Sequence, residues 1–113
     1  MLSLTWKGYY KYTIENVEQY APDKPGVYKI AILQKGGRLK VRYVGQTDNL
    51  KRRLKEHLDF DREENECLRE RLKKYSASFA FAAVARQGDR DGAERALYLH
   101  YEPVCNDEDS IPS

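Results

Sequence analysis

Three absences narrow the possibilities before any motif is read. No apolar run approaches the length that a membrane span needs. The opening residues, MLSLTWKGYYKYT, lack a basic stretch followed by a continuous apolar one, so no secretory leader is expected and a cytoplasmic location is. Only two cysteines occur, Cys67 and Cys105, and neither has a CxxC partner. That excludes a thiolate zinc site and a disulfide-dense scaffold. One disulfide between them stays open, and two reduced thiols in a cytosolic protein is the reading adopted. An excess of one charge is missing too: 20 Lys and Arg face 18 Asp and Glu, a net charge of +2. Overall charge therefore does not announce a nucleic-acid partner, and the distribution of charge must decide. Internal repeats and low-complexity segments are also lacking.

What is present suits one globular domain. The 113 residues are 41% hydrophobic, 34% charged and 12% aromatic, too aromatic for a disordered chain. Thr13 can cap a short helix running to about Tyr20, which Pro22 and Pro25 stop. Residues 26–33, GVYKIAIL, read as a strand. Gly36 and Gly37 mark a turn, and residues 38–45 alternate Leu39, Val41 and Tyr43 against Lys40, Arg42 and Val44 as the returning strand of a hairpin. Thr47 or Asp48 then caps a helix whose face carries Leu50, Leu54 and Leu58. A second helix is expected over 63–75, a third strand over 78–84, a loop bracketed by Gly88 and Gly92, and a last helix over 93–101 that Pro103 ends. The sum is an α+β domain with a small three-stranded antiparallel or mixed sheet flanked by helices. Residues 1–24 form an N-terminal extension, 25–107 the core, and 108–113 an acidic, frayed tail.

Several side chains carry chemistry, and each has a bland reading beside it. Tyr28 and Tyr43 sit on one hairpin and can face one side, which a cross-strand aromatic pair explains equally well. Arg53 and His57 lie four apart on one helix, so they share a face bordering the leucine stripe. A solvated basic helix accounts for Lys51, Arg52 and Lys55 but poorly for His57. Glu94 in the first turn of the last helix suits the helix dipole, and Asn106 suits a turn. The acids of 59–66 lie between helices, away from these positions. Trp6, Tyr9, Tyr10 and Tyr12 could stack on bases, although completing the core is the reading preferred for Trp6 and two of the tyrosines.

Taken together, the order is specific. G-V-Y at 26–28, Y-V-G at 43–45, then Asn49, Arg53, His57, Glu94 and Asn106 resembles the GIY-YIG nuclease family. The family pattern puts an arginine ten residues after the second tyrosine, where Arg53 stands. A Tyr or His follows one turn later, here His57. A glutamate follows on a later helix, here Glu94, and an asparagine after a proline, here Asn106 behind Pro103. The stretch YVGQTDNLKRRLKEH is similar to the same segment in the nuclease domain of the bacterial excision-repair endonuclease and in small stand-alone members. Gln46 departs from the repair nuclease, which tends to carry Lys there, and so removes one candidate proton-transfer or phosphate-binding group.

The resemblance implies a metal-dependent endonuclease that hydrolyses DNA, structure-selective or weakly specific. It assigns catalysis to Tyr28, Tyr43, Arg53, His57 and Glu94. Gly26, Gly45, Gln46, Asn49 and Asn106 support them, and Lys51, Arg52 and Lys55 touch DNA. Glu94 would bind one Mg²⁺ or Mn²⁺, since a single carboxylate leaves room for waters and phosphate. Arg53 would clamp phosphate. Tyr28 would hold or deprotonate the water with help from His57, Tyr43 would position phosphate or water, and Asn106 would fix Glu94 or Tyr28. DNA is the partner, with a targeting or repair protein as a second one. A non-catalytic DNA-binding adaptor or subunit on the same fold is the alternative, and a regulatory or RNA-directed protein a more remote one.

Overall fold

The computed structural model describes residues 3–107, 109 and 111. In chain order the elements are β1 (Lys7–Lys11), α1 (Ile14–Tyr20), β2 (Gly26–Leu33), β3 (Leu39–Thr47), α2 (Leu50–Glu56), α3 (Glu66–Lys74), β4 (Ala77–Ala83) and α4 (Gln87–Tyr101). The four strands form one sheet in the order β1-β4-β2-β3, with every neighbouring pair antiparallel. The expected sheet had three strands. The additional one is β1, which pairs with β4 from Lys7 opposite Phe81 to Lys11 opposite Ser78. Its sequence, KGYYK, has lysine at both ends, a glycine inside and an exposed face, so it shows no alternation. The expected fraying of the tail concerns residues that lie largely outside the described ones.

The central strand β2 is buried on both faces. One face carries Tyr28 and Ile30, packed with Phe79 and Phe81 of β4 and with Val17 of α1, Leu50 and Leu54 of α2, and Leu68 of α3. The other carries Val27 and Ala31, packed with Ala82, Val41, Val44 and, from α4, Ala93, Leu97, Tyr98 and Tyr101. Three helices thus cover one face and α4 the other. The aromatic start of the chain packs on this frame. The Tyr12 hydroxyl donates to Leu54 O at 2.5 Å, Tyr10 stacks on Tyr20 at 4.0 Å, and Trp6 packs beside Val27 and Ala82.

The starts of three helices differ from the sequence reading, each for a local reason. Asn49 caps α2, its Oδ1 accepting from Arg52 N at 3.0 Å, and Thr47 instead belongs to β3. Asn65 caps α3 in the same way, so that helix starts at Glu66. Helix α4 starts at Gln87, six residues earlier than expected, and includes Gly88 and Gly92. Its first turn is fastened by Arg90, which donates to Val84 O, Ala85 O and Gln87 Oε1. Glu94 therefore lies in the body of α4, beyond the reach of the dipole argument. The cysteines are also corrected: Cys67 and Cys105 form a disulfide, with Cα atoms 5.3 Å apart. A separation of 38 residues gave the sequence no hint of this proximity, which the return of the chain after α4 creates.

Candidate active site

The hairpin of β2 and β3 places the two tyrosines. Tyr28 lies opposite Gly45, and Tyr43 opposite Ile30. A β-bulge between the Ile30 and Ala31 pairings leaves Arg42 as the extra residue. Simple alternation would put Val41 and Tyr43 on one face. With the bulge, Val41 packs toward α4 while Tyr43 turns to Tyr28, a re-aiming that bulges produce. The two rings lie 6.2 Å apart. Both motif glycines are steric requirements. A Cβ on Gly45 would sit 2.5 Å from the Tyr28 hydroxyl, and one on Gly26 would sit 2.3 Å from Ala82 O and 2.7 Å from Leu50 Cδ1.

Helix α2 brings the next two groups to the same face. Arg53 is half-buried on its last turn, and His57, the residue that caps it, has no exposed surface. The Tyr28 hydroxyl lies 2.8 Å from His57 Nε2. The Tyr43 ring stands edge-on to the imidazole at 5.3 Å. Behind His57, Nδ1 lies 2.6 Å from Oε2 of Glu63. Glu63 is buried, and its other oxygen accepts from Asn65 N at 3.0 Å. The acids of 59–66 are therefore not all remote from the motif. The sequence offered no signal for Glu63: it stands among other acids, on a turn without periodicity.

Electrostatics sort these groups. Burial pushes the Tyr28 phenol well above its ordinary 10.0, so it stays protonated at neutral pH. Burial likewise raises Tyr43, whose phenol also senses the Glu94 carboxylate. Burial, together with the Arg53 charge, holds His57 below its ordinary 6.5 despite the opposing pull of Glu63. For Glu63, burial works upward, but the bonds from His57 and the Asn65 backbone outweigh it and hold the carboxyl below 4.5.

Glu94 sits on the α4 side, around the outer edge of β3. Gln46 Nε2 donates to Glu94 Oε1 at 3.2 Å and to Asp91 Oδ1 at 2.5 Å. Gln87 in turn donates to Gln46 Oε1 at 2.6 Å and to Asp91 at 2.8 Å. Gln46, the residue that departs from the repair nuclease, is thus the strut between two carboxylates. Among the described residues no Lys, Arg or His forms an ion pair with Glu94. Burial and the neighbouring Asp91 charge hold its carboxyl above the ordinary 4.5.

The remaining candidates occupy other positions. Asn106 does not bind Glu94 or Tyr28. Its amide takes both backbone groups of Val44, accepting from N and donating to O at 2.8 Å each, while Cys105 N donates to Arg42 O. Asn49 acts on the helix start. Lys51, Arg52 and Lys55 stand on α2 and pair with Asp23, with Asp48 and Glu56, and with Glu18.

The family model of the GIY-YIG catalytic domain matches residues 24–102. The fold is also that of the N-terminal GIY-YIG endonuclease domain of UvrC from Thermotoga maritima. With its magnesium bound, that domain superposes with a TM-score of 0.61 at 23% identity, covering 83% of this chain and 96% of the other. A point mutant of the same domain, bound to its divalent cation, gives 0.62 at 23%, over 84% and 96%. No curated protein matches the chain. The chain belongs to the GIY-YIG family. The matched model is that of the family's catalytic domain.

A divalent cation fits the donor set. Glu94 offers a hard oxygen ligand whose charge no cation neutralises, beside a second carboxylate on the same helix. Among the described residues no three metal-binding side chains cluster. Few protein ligands, with waters and phosphate oxygens for the rest, is the coordination that Mg²⁺ accepts.

Proposed function

We propose that the protein is a divalent-metal-dependent DNA endonuclease, structure-selective or weakly specific. The observation that carries this reading is the pair of arrangements on the rim of β3: Tyr28 bonded to a neutral His57 beside Arg53, and Glu94 held by an uncharged partner. Arg53 clamps the scissile phosphate, because its planar fork matches two phosphate oxygens and stays charged at any working pH. Tyr43, the more exposed phenol, meets the phosphate. Tyr28 is too weak an acid to ionise in advance, so it gives its proton to His57 Nε2 as it takes one from the attacking water. The water oxygen forms the new bond to phosphorus, the bond to the leaving oxygen breaks, and that oxygen gains a proton from solvent. A Mg²⁺ or Mn²⁺ ion on Glu94 supplies charge stabilisation to the phosphoryl and leaving oxygens when bound.

Lys51, Arg52 and Lys55 contact the DNA backbone. They are held only by surface ion pairs, Arg52 by two of them, so exchanging a carboxylate for a phosphate is cheap. DNA affinity should be modest and should fall steeply with salt. The test is to incubate supercoiled plasmid with the protein and Mg²⁺ or Mn²⁺, beside Glu94→Ala and an EDTA control. Nicking by the unmodified protein alone is expected. Failure to nick plasmid or branched DNA with either metal, by a folded protein that still binds DNA, would establish the non-catalytic adaptor instead.

A further inference from the structure

We propose that Glu63 is a positioning residue of this site, one that fixes His57 in the single tautomer able to take the proton of Tyr28. The proposal rests on the reading of the Tyr28–His57 bond as a proton path. Both oxygens of the Glu63 carboxylate are committed: Oε2 faces His57 Nδ1 at 2.6 Å, and Oε1 accepts from Asn65 N at 3.0 Å. The backbone is fixed as well, with Glu63 N donating to Asp59 O and Glu63 O accepting from Arg69. Asn65 in its turn caps α3. Glu63 therefore cannot turn away from the imidazole without giving up its bond to Asn65 N, at the residue that caps α3.

The tautomer follows from hydrogen-bond arithmetic. An ionised carboxylate only accepts, so Nδ1 must carry the imidazole hydrogen. A neutral ring has one such hydrogen, so Nε2 presents a bare lone pair at 2.8 Å from the Tyr28 hydroxyl. Tyr28 is then the donor, and the proton moves from its oxygen to Nε2. The imidazolium so formed lies against the Glu63 carboxylate, in a site with no exposed surface on the ring. Besides Glu63 and Tyr28, the groups facing His57 are Arg53, Glu56 and Tyr43. Arg53 disfavours the imidazolium, and Glu63 is the only one of them bonded to the ring through Nδ1. With Gln at 63 an amide N–H can donate to Nδ1, which moves the ring hydrogen to Nε2 and blocks it as an acceptor.

The test reads the tautomer itself, by ¹⁵N NMR of the imidazoles in the protein without metal or DNA. The chain has only two histidines, His57 and His100, so assignment needs one His100→Gln comparison. The unmodified protein should show His57 with Nδ1 protonated and Nε2 bare. Glu63→Gln should move the hydrogen to Nε2, and Glu63→Asp should retain part of the original pattern if it folds. In nicking assays Glu63→Gln should lower kcat about 100-fold, the lower end of a general-base contribution. The acid limb of its pH profile should move to lower pH, with KM for DNA and Mn²⁺ binding unchanged. Nε2–H in the unmodified protein, or a Glu63→Gln variant with the original tautomer and rate, would overturn the proposal. Because the spectrum needs no turnover, what it says of Glu63 stands apart from whether the protein nicks DNA.

Discussion

The two sides of β3 solve opposite electrostatic problems. On the α2 side, Tyr28, His57 and Glu63 are buried and joined end to end, and every side-chain polar atom in that row has a partner. On the α4 side, Asp91 and Glu94 stand near each other with only an amide between them. In the proposed mechanism the first arrangement moves a proton, and its full set of partners matters because an unpaired buried group would be costly there. The second holds two carboxylates together through the Gln46 amide, and the proposed mechanism puts the divalent ion there. Alternation along β3 holds the two apart: Tyr43 and Gly45 face Tyr28 on the α2 side, and Val44 and Gln46 face α4.

The sharpest way to break this contrast is to neutralise one side. Glu94→Gln should reduce metal-dependent nicking by about 10³-fold, as loss of a charge-stabilising group does. It should also raise the melting temperature near pH 7, because it removes a carboxylate that burial and Asp91 hold in an unfavourable state. Activity and stability moving in opposite directions would mark the α4 side as functional strain. Equal loss of both would sink that view.

The link between the sides comes next. Reducing the disulfide, or replacing both cysteines by serine, should cost about 4 kcal/mol by the loop-entropy relation, read from urea titrations. The same change loosens Cys105 and Asn106 from β3, so nicking should fall with stability. Gly45→Ala attacks the α2 side instead. It drives a methyl group into the Tyr28 ring and should cost about 1–3 kcal/mol, with the larger loss in activity.

Acid should separate the two sides by sign. His57 titrates below 6.5 when folded, so the unfolded chain binds that proton first as pH falls. Its contribution is complete above 6.5 and is lost below it. Glu63, held under 4.5, adds a loss of the same sign at lower pH. Glu94, held above 4.5, binds its proton first in the folded state, so its contribution grows on acidification and is lost as pH rises through its folded value. Thermal melts should therefore show the unmodified protein weakening below pH 6.5, and Glu94→Gln weakening more steeply as pH falls toward 4.5. The smallest effect belongs to Gly92→Ala, outside both sites. An added Cβ meets nothing within 4 Å there, and the gain in helix propensity should be about 0.5–1 kcal/mol in a urea melt with nicking unchanged.

Much of this was readable because it is local. Leu50 and Leu54 fix the face of α2, and that face fixes where Arg53 and His57 go. The pattern of β2 gives a buried strand, and Tyr28 follows from it. What escaped depends on contacts distant in sequence or on single-residue irregularities. The bulge at Arg42 reverses the face of Val41 relative to Tyr43, and alternation cannot show it. The start of α4 is set by Arg90 reaching back to Val84 and Ala85, just after β4, rather than by a capping residue, so Gly88 and Gly92 looked like a loop. Glu63 and the disulfide are meetings that only the folded chain produces.

One consequence reaches past catalysis. β3 lies at the rim of the sheet, and its outward backbone groups at Arg42 and Val44 are what a passing extended chain would need to add another strand. Cys105 and Asn106 occupy them, and the sulfur bridge to α3 keeps them in place. The residues that brace this edge strand therefore also keep the protein from becoming a template for its own aggregation.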